Sequence, residues 1–223
     1  MASEVEIANL ALSALGDSAT VASLNPPEGS PQAERCAKFY LLARDSLQED
    51  FVWSFCVRRK QLALISAWEG SQWAYAYAVP SEMLRPLSVV TVGSSSDQVS
   101  DGGFQDGMPF ALEARNTGQV EGRQTAQMML LTNCPDAELR YTVKVSDTTK
   151  FTAKFVEALY WKLASMIAGP VLKGDAGVKM TQSCLQVAMA IAGEAAVKDA
   201  NRSQEQRMGY GGTGHVPAHI RSR

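Results

Sequence analysis

The sequence predicts an α+β protein: a helical bundle formed by the N- and C-terminal helices, an inserted antiparallel β domain, and an extended C-terminal tail. Three observations predict it. Apolar residues recur at helical spacing before residue 54 and again after residue 147. Between these stretches lie short β-rich runs separated by turn signals, the pattern of an antiparallel sheet. The helices at the two ends must also find each other to bury their stripes, which makes the β block an insertion. The division is then 1–54 with 147–201 for the bundle, 55–146 for the β-rich domain and 202–223 for the tail.

Each element has a local reason. Ser3 with Glu6 three residues on is a capping-box pattern, followed by an apolar stripe of Ile7, Leu10, Ala11, Ala14 and Leu15. Gly16 is the expected stop. Asn25-Pro26-Pro27-Glu28-Gly29 reads as a loop. A second helix starts near Pro31, with Ala33, Cys36, Ala37, Tyr40, Leu41, Leu47 and Phe51 inward and Glu34, Lys38, Asp45 and Glu49 outward. After Trp53, the residues from Phe55 and Val57 through Leu64 suit a strand, although a helix also fits them. Trp73, Tyr75, Tyr77 and Val79 alternate with Ala74, Ala76 and Ala78, a strand with one bulky and one small face that Pro80 ends. Leu87 to Val92 is a further β-rich run, and 93–107 is a polar, glycine-bearing loop. Strands follow near 109–115, 125–132 and 138–146. Asp147, Thr148 and Thr149 offer caps for a helix whose ridge is Phe151, Phe155, Leu159, Leu163 and Ile167. Gly169-Pro170 and Gly174 interrupt or end it. The last helix spans about 176–201, with Thr181, Cys184, Leu185, Ala188, Ile191, Ala192 and Ala195 inward, and its alanines allow a neighbour to come close. From Arg202 the chain is polar and glycine-rich, and an extended tail is expected.

The chain has 223 residues, 46% hydrophobic and 20% charged, enough to bury a core without disulfides or metals. A net charge of −2 and a pI near 5.8 argue against gripping nucleic acid by global charge. Cys36, Cys56, Cys134 and Cys184 are widely spaced, which disfavours a zinc site and fits a reducing compartment. Glu4 and Glu6 stand where a basic leader would begin, and no stretch is expected to span a bilayer.

Candidate chemistry is sparse. His215 and His219 are four apart, but Pro217 between them works against a shared helix face, so no metal is expected. Gly209-Tyr210-Gly211-Gly212-Thr213-Gly214 matches G-x-G-x-x-G literally but has too little chain after it for the required helix, so no cofactor is expected. Asp97, Asp101 and Asp106 do not have calcium-loop spacing. With no plausible acid–base pair, no enzyme is expected. Arg58-Arg59-Lys60 is the compact basic run, either a phosphate or acidic-partner contact or a solvated strand edge with local ion pairs. Trp73, Tyr75 and Tyr77 read as a sheet face packed on helices, or as a platform for stacking nucleobases.

Taken in order, these motifs resemble the tail tubular protein A family of short-tailed bacteriophages, the head-to-tail adaptors or connectors. The resemblance covers most of the chain. It is carried by Ile7-Ala8-Asn9-Leu10-Ala11-Leu12 with Leu15-Gly16, and by the Ala33, Cys36, Tyr40, Arg44-Asp45 spacing. It is most specific at Trp53-Ser54-Phe55 with Arg58-Arg59 and Leu62-Ala63, then Trp73, Tyr75, Tyr77, Pro80 and Leu84-Arg85. The alanine-rich last helix and the basic tail also fit, whereas the glycine-rich segment 209–214 and the tail histidines depart from it. The resemblance implies a structural virion protein without chemistry, a dodecameric ring beneath the portal with the tail nozzle below. Double-stranded DNA would pass through its lumen without tight binding, and no membrane would be involved. Assembly would take place in the host cytoplasm from a subunit expected to be monomeric beforehand. Arg207, Tyr210, Ile220, Arg221 and Arg223 are the tail residues expected to dock on the portal or the neighbouring subunit. Two other readings compete: a single-stranded nucleic-acid-binding protein using the Trp/Tyr strand face, and another head-completion or tail-terminator protein.

Overall fold

The computed structural model describes residues 2–67, 72–92, 107–120 and 123–207. These form a mixed α+β fold with four α-helices and two antiparallel sheets among the described residues. The first helix, α1 (Glu4–Ala14), begins as its sequence dictates. Ser3 Oγ accepts from the Glu6 N–H at 3.2 Å, and Glu6 Oε2 accepts from the Ser3 N–H at 2.6 Å. Gly16, at φ +76°, turns the chain out. Asn9 then pins the following loop through both polar groups of Val21, at 2.7 and 3.0 Å.

The second helix, α2 (Pro31–Asp50), is capped by Ser30 with Pro31 in its first turn. Ala33, Cys36, Tyr40, Ala43 and Leu47 are buried, joined by Arg44 and Gln48. Leu41 was expected to face inward and is instead exposed, as is Leu42. Each residue advances about 100° round a helix, so Leu41 leaves the narrow stripe that Tyr40 and Ala43 present to the core.

The third helix, α3 (Ala153–Leu172), packs against α1, α2 and the fourth helix, α4 (Gly174–Arg207). Its ridge of Phe155, Leu159, Leu163 and Ile167 is fully buried. The cap is Thr152, whose Oγ1 accepts from the Phe155 N–H at 3.2 Å. Asp147, expected to cap this helix, closes a 3₁₀ turn at Thr148–Lys150 instead. Pro170 lies inside α3, in its last turn, and the helix ends only at Lys173 and Gly174, at φ 55° and 59°. By length and composition α3 could cross a bilayer, contrary to the expectation that no stretch would. In the fold its apolar ridge is covered by helices.

The close α3–α4 approach has a glycine basis. A Cβ on Gly177 would lie 3.1 Å from the Gly169 Cα. From there Cys184, Ala188, Ala192 and Ala195 carry the contact, while Leu185, expected inward, is 38% exposed. The helix also runs past residue 201 to Arg207, so 202–207 is helical rather than extended. No glycine or proline intervenes before Gly209, and Gln204, Glu205, Gln206 and Arg207 are good helix formers.

The strand expected across 55–64 is divided. Ser54–Cys56 is a 3₁₀ turn, β1 is Val57–Gln61 and β2 is Leu64–Ala67. The remaining strands are β3 (Tyr75–Ala78), β4 (Met83–Thr91), β5 (Phe110–Val120), β6 (Arg123–Thr132) and β7 (Ala137–Val143). One sheet has the order β1-β7-β4 and the other β2-β3-β6-β5. Leu62, buried between β1 and β2 and bonded from its N–H to the Ala137 carbonyl at 2.8 Å, marks the point where the chain leaves one sheet for the other. Beside β4, the Met108 N–H donates to the Val89 carbonyl at 2.7 Å. Gly107 permits this approach, since a Cβ there would sit 2.6 Å from the Val89 oxygen.

One buried cluster runs from the helices through Val89, Leu139, Tyr141 and Val143 of the first sheet to Tyr77 and Leu130 of the second. A smaller one, Ala76, Met129 and Leu131 with Trp73 and Ala111, covers the opposite face of the second sheet.

Candidate functional site

The aromatic block marks the meeting of helices and sheets. Trp53 is fully buried, and its indole N–H donates to the Leu47 carbonyl at 2.8 Å. Its ring stacks on Phe55 at 6.0 Å and meets Phe155 edge-on at 4.9 Å; Phe51 and Phe151 extend the cluster. Trp53 and Phe55 are therefore core residues that join the start of the β block to α3. Just beyond, Ser54 N–H and Oγ both donate to Asp199, at 2.6 and 2.9 Å, tying the same turn to α4.

The structure places Tyr75 and Tyr77 on one face of β3, their rings 6.3 Å apart. Tyr77 is buried and its hydroxyl donates to the Cys134 carbonyl at 2.9 Å, so its ring offers no stacking surface. Trp73 lies ahead of the strand, half-buried against the Ala76–Leu131 cluster on the other side. The alternation therefore does not leave one face bare: the alanine face is covered as well.

The basic run splits between two faces because strand residues alternate. Arg58 and Lys60 pair in register with Tyr141 and Leu139 on the core-facing side. There Arg58 donates to the Phe55 and Val57 carbonyls, and Lys60 lies 3.9 Å from Glu82. Arg59 faces outward, directly opposite Arg140, with Glu138 at 3.9 Å. Arg85 and Ser88 of β4 share this outward face, opposite Thr142 and Arg140. The sequence reading missed Arg85 and Arg140 as companions of Arg59. The outward alternation of Arg140 was visible, but the register that aligns the three strands was not.

Burial pushes the Cys36 thiol up to about 11 and the Cys56 thiol up to about 12, which keeps both protonated and unreactive. No group of His, Cys, Asp and Glu suited to a metal occurs among the described residues. Asp45 holds Arg44 at 2.8 Å and Lys144 at 2.8 Å, joining α2 to the segment after β7. The Tyr40 hydroxyl is buried without a hydrogen-bond partner among the described residues.

Of the expected docking residues, Arg207 ends α4, and Tyr210, Ile220, Arg221 and Arg223 lie outside the described residues, as do the glycine-rich segment, both histidines, and Asp97, Asp101 and Asp106. The outer surface of α4 exposes Val178, Leu185, Val187, Met189 and Val197, and α2 exposes Leu41 and Leu42. Fold and surfaces together define an α+β protein with apolar side chains left on the outside of its helices. No protein-family model and no curated protein matches the chain.

Proposed function

We propose that the chain is a structural virion protein, a head-to-tail adaptor that closes with its own copies into a ring joining the portal to the tail and leaving a passage for DNA. In this reading it carries out no catalysis and needs no cofactor. The residues that resemble the tail tubular protein A family motivate the proposal. The contacts of α3 with α1, α2 and α4 support a helical bundle built from both chain ends, with the β-rich part as an insertion.

The observation that carries the reading furthest is the apolar exterior of α4. A helix of 34 residues is covered along one side by α3, and it exposes five large aliphatic side chains elsewhere. Scattered apolar residues are ordinary on a surface, but Val178, Leu185 and Met189, at spacings of seven and four, share one side of this helix, and such a row is material for a subunit interface. The second sheet adds strand edges at β2 and β5, and β2 exposes Leu64 and Ile65. Such edges are natural places for a neighbouring copy to bind. The single-stranded nucleic-acid reading has less support, because the Tyr77 ring is buried.

Gold-labelled antibody against this chain should decorate the neck between capsid and tail in micrographs of the virion. Label confined to the far tail tip or absent from virions would refute the adaptor assignment. Label at the distal end of a tail tube would favour a terminator protein instead.

A further inference from the structure

We infer that β2 of one copy adds to the outer edge of β5 in the next, antiparallel, so that the four-stranded sheet continues from subunit to subunit. The inference deepens the ring reading and rests on it for the partner, a second copy of the chain. Among the described residues β2 and β5 are the outermost strands of the order β2-β3-β6-β5. All three pairings are antiparallel, so the outer strands of this even-numbered sheet run in opposite directions. A copy set alongside in the same orientation therefore brings its β2 antiparallel to β5. Such a head-to-tail contact is the heterologous kind that closes into rings.

The hydrogen-bond register fits without a slip. The Ala78 N–H donates to the Ala63 carbonyl at 2.9 Å. Bonded and non-bonded pairs alternate along an antiparallel ladder, so Leu64 and Tyr77 form the next, non-bonded pair, and the Leu64 N–H and C=O point away from β3. Leu64, Tyr77, Leu130 and Leu112 lie in one row across the sheet. The same alternation, carried along that row, leaves the Leu112 N–H and C=O pointing outward from β5. Leu112 and Leu64 of the next copy then exchange both bonds. Their side chains meet as well. Directly opposed residues share a face, so both leucines stand on the side of the buried Tyr77 and Leu130, yet Leu64 is 54% and Leu112 36% exposed. The junction covers both. β2 carries neither charge nor proline, the usual protections of a free edge. The other sheet has them: β1 holds Arg58, Arg59 and Lys60, and β4 holds Pro86 and takes the Met108 N–H on its outer side.

Disulfide trapping of the full chain is the test. The Cα atoms of a bonded antiparallel pair stand about 5.5 Å apart, within reach of a disulfide, and all four native cysteines are buried. Leu64→Cys and Leu112→Cys proteins, mixed at high concentration and oxidised with diamide, should give a linked dimer as the main product. Leu64→Cys mixed with Leu42→Cys, at an exposed position on α2, should give little. Leu112→Pro removes an N–H that points away from the chain's own ladder. It should lose the protection from hydrogen exchange that β2 gains in concentrated wild type. If thermal melting shows Leu112→Pro unfolded, the cysteine mixtures decide alone. The inference is overturned if the Leu64→Cys and Leu112→Cys mixture links no better than the Leu42→Cys control. It is also overturned if either variant alone links as well as the mixture, which would mean that like edges pair, or if folded Leu112→Pro keeps the protection of β2. Neck labelling tests the adaptor reading separately: a linked dimer without neck label leaves the edge pairing standing and removes the adaptor, and neck label without a linked dimer does the reverse.

Discussion

Gln48 makes the sharpest stability prediction, because it joins α2 to the segment leaving the sheet. Its side-chain amide donates to the Val145 carbonyl at 2.8 Å and accepts from the Val145 N–H at 2.9 Å. Gln48 is 1% exposed and Val145 is 5% exposed. Gln48→Ala removes both bonds and leaves two buried backbone groups unsatisfied, at about 1–3 kcal/mol each. The total is about 2–6 kcal/mol, or a fall in Tm of about 4–24 °C for a chain of this size. Gln48→Glu refines the argument. When protonated, the carboxyl can donate to the carbonyl and accept from the N–H, as the amide does; when ionised, it presents a charge to the carbonyl oxygen. Burial raises the folded-state pKa of such a group above the unfolded value of about 4.3. The stability it contributes is then fully present below that value and lost as pH rises through the folded one. Urea unfolding followed by circular dichroism should therefore place Gln48→Glu close to wild type near pH 4 and well below it near pH 7. The reasoning fails if Gln48→Ala loses less than about 1 kcal/mol, or if the gap between Gln48→Glu and wild type does not widen with pH.

Two further outcomes follow from the helices. Gly177→Leu should lower stability by about 1–3 kcal/mol by forcing α3 and α4 apart, whereas Gly193→Ala, where a Cβ meets nothing within 4 Å, should raise it by about 0.5–1 kcal/mol; thermal melts of the two variants check the contrast. At Asp45, burial acts to raise the carboxyl pKa, but hydrogen bonds from Lys144 and Arg44, with their charges, outweigh it and hold the group below its ordinary value. A depressed folded-state pKa contributes stability above the unfolded value of about 3.9 that is lost as pH falls through the folded one. Asp45→Asn should consequently flatten the acid limb of the pH–stability curve; an unchanged limb would rule out the linkage.

Much of the local structure was legible because its causes lie within one or two turns of chain. The Ser3–Glu6 box, the Pro31 start and the ridge from Phe155 to Ile167 all stand where their spacing puts them. The expectations that failed depended on neighbours distant in sequence. Leu41 and Leu185 have helical spacing but fall outside the stripes that α3 covers. The strand across 55–64 divided because its two halves pair with β7 and β3, in different sheets. The true cap of α3, Thr152, lay beyond three equally suitable residues, and choosing among them depended on where the chain leaves β7. At the candidate site, Arg59 was visible as part of a basic run, but its partners Arg85 and Arg140 come from strands 26 and 81 residues further along, as their numbers give.

The sequence by itself determined the helical ends, the β-rich middle and the aromatic junction at Trp53, because capping, periodicity and side-chain bulk act over a few residues. Only the tertiary structure decided which strands share a sheet, which arginines stand together, and which leucines remain outside. Those outcomes depend on strand register and on which neighbour covers each face, and neither is encoded in any short stretch of the chain.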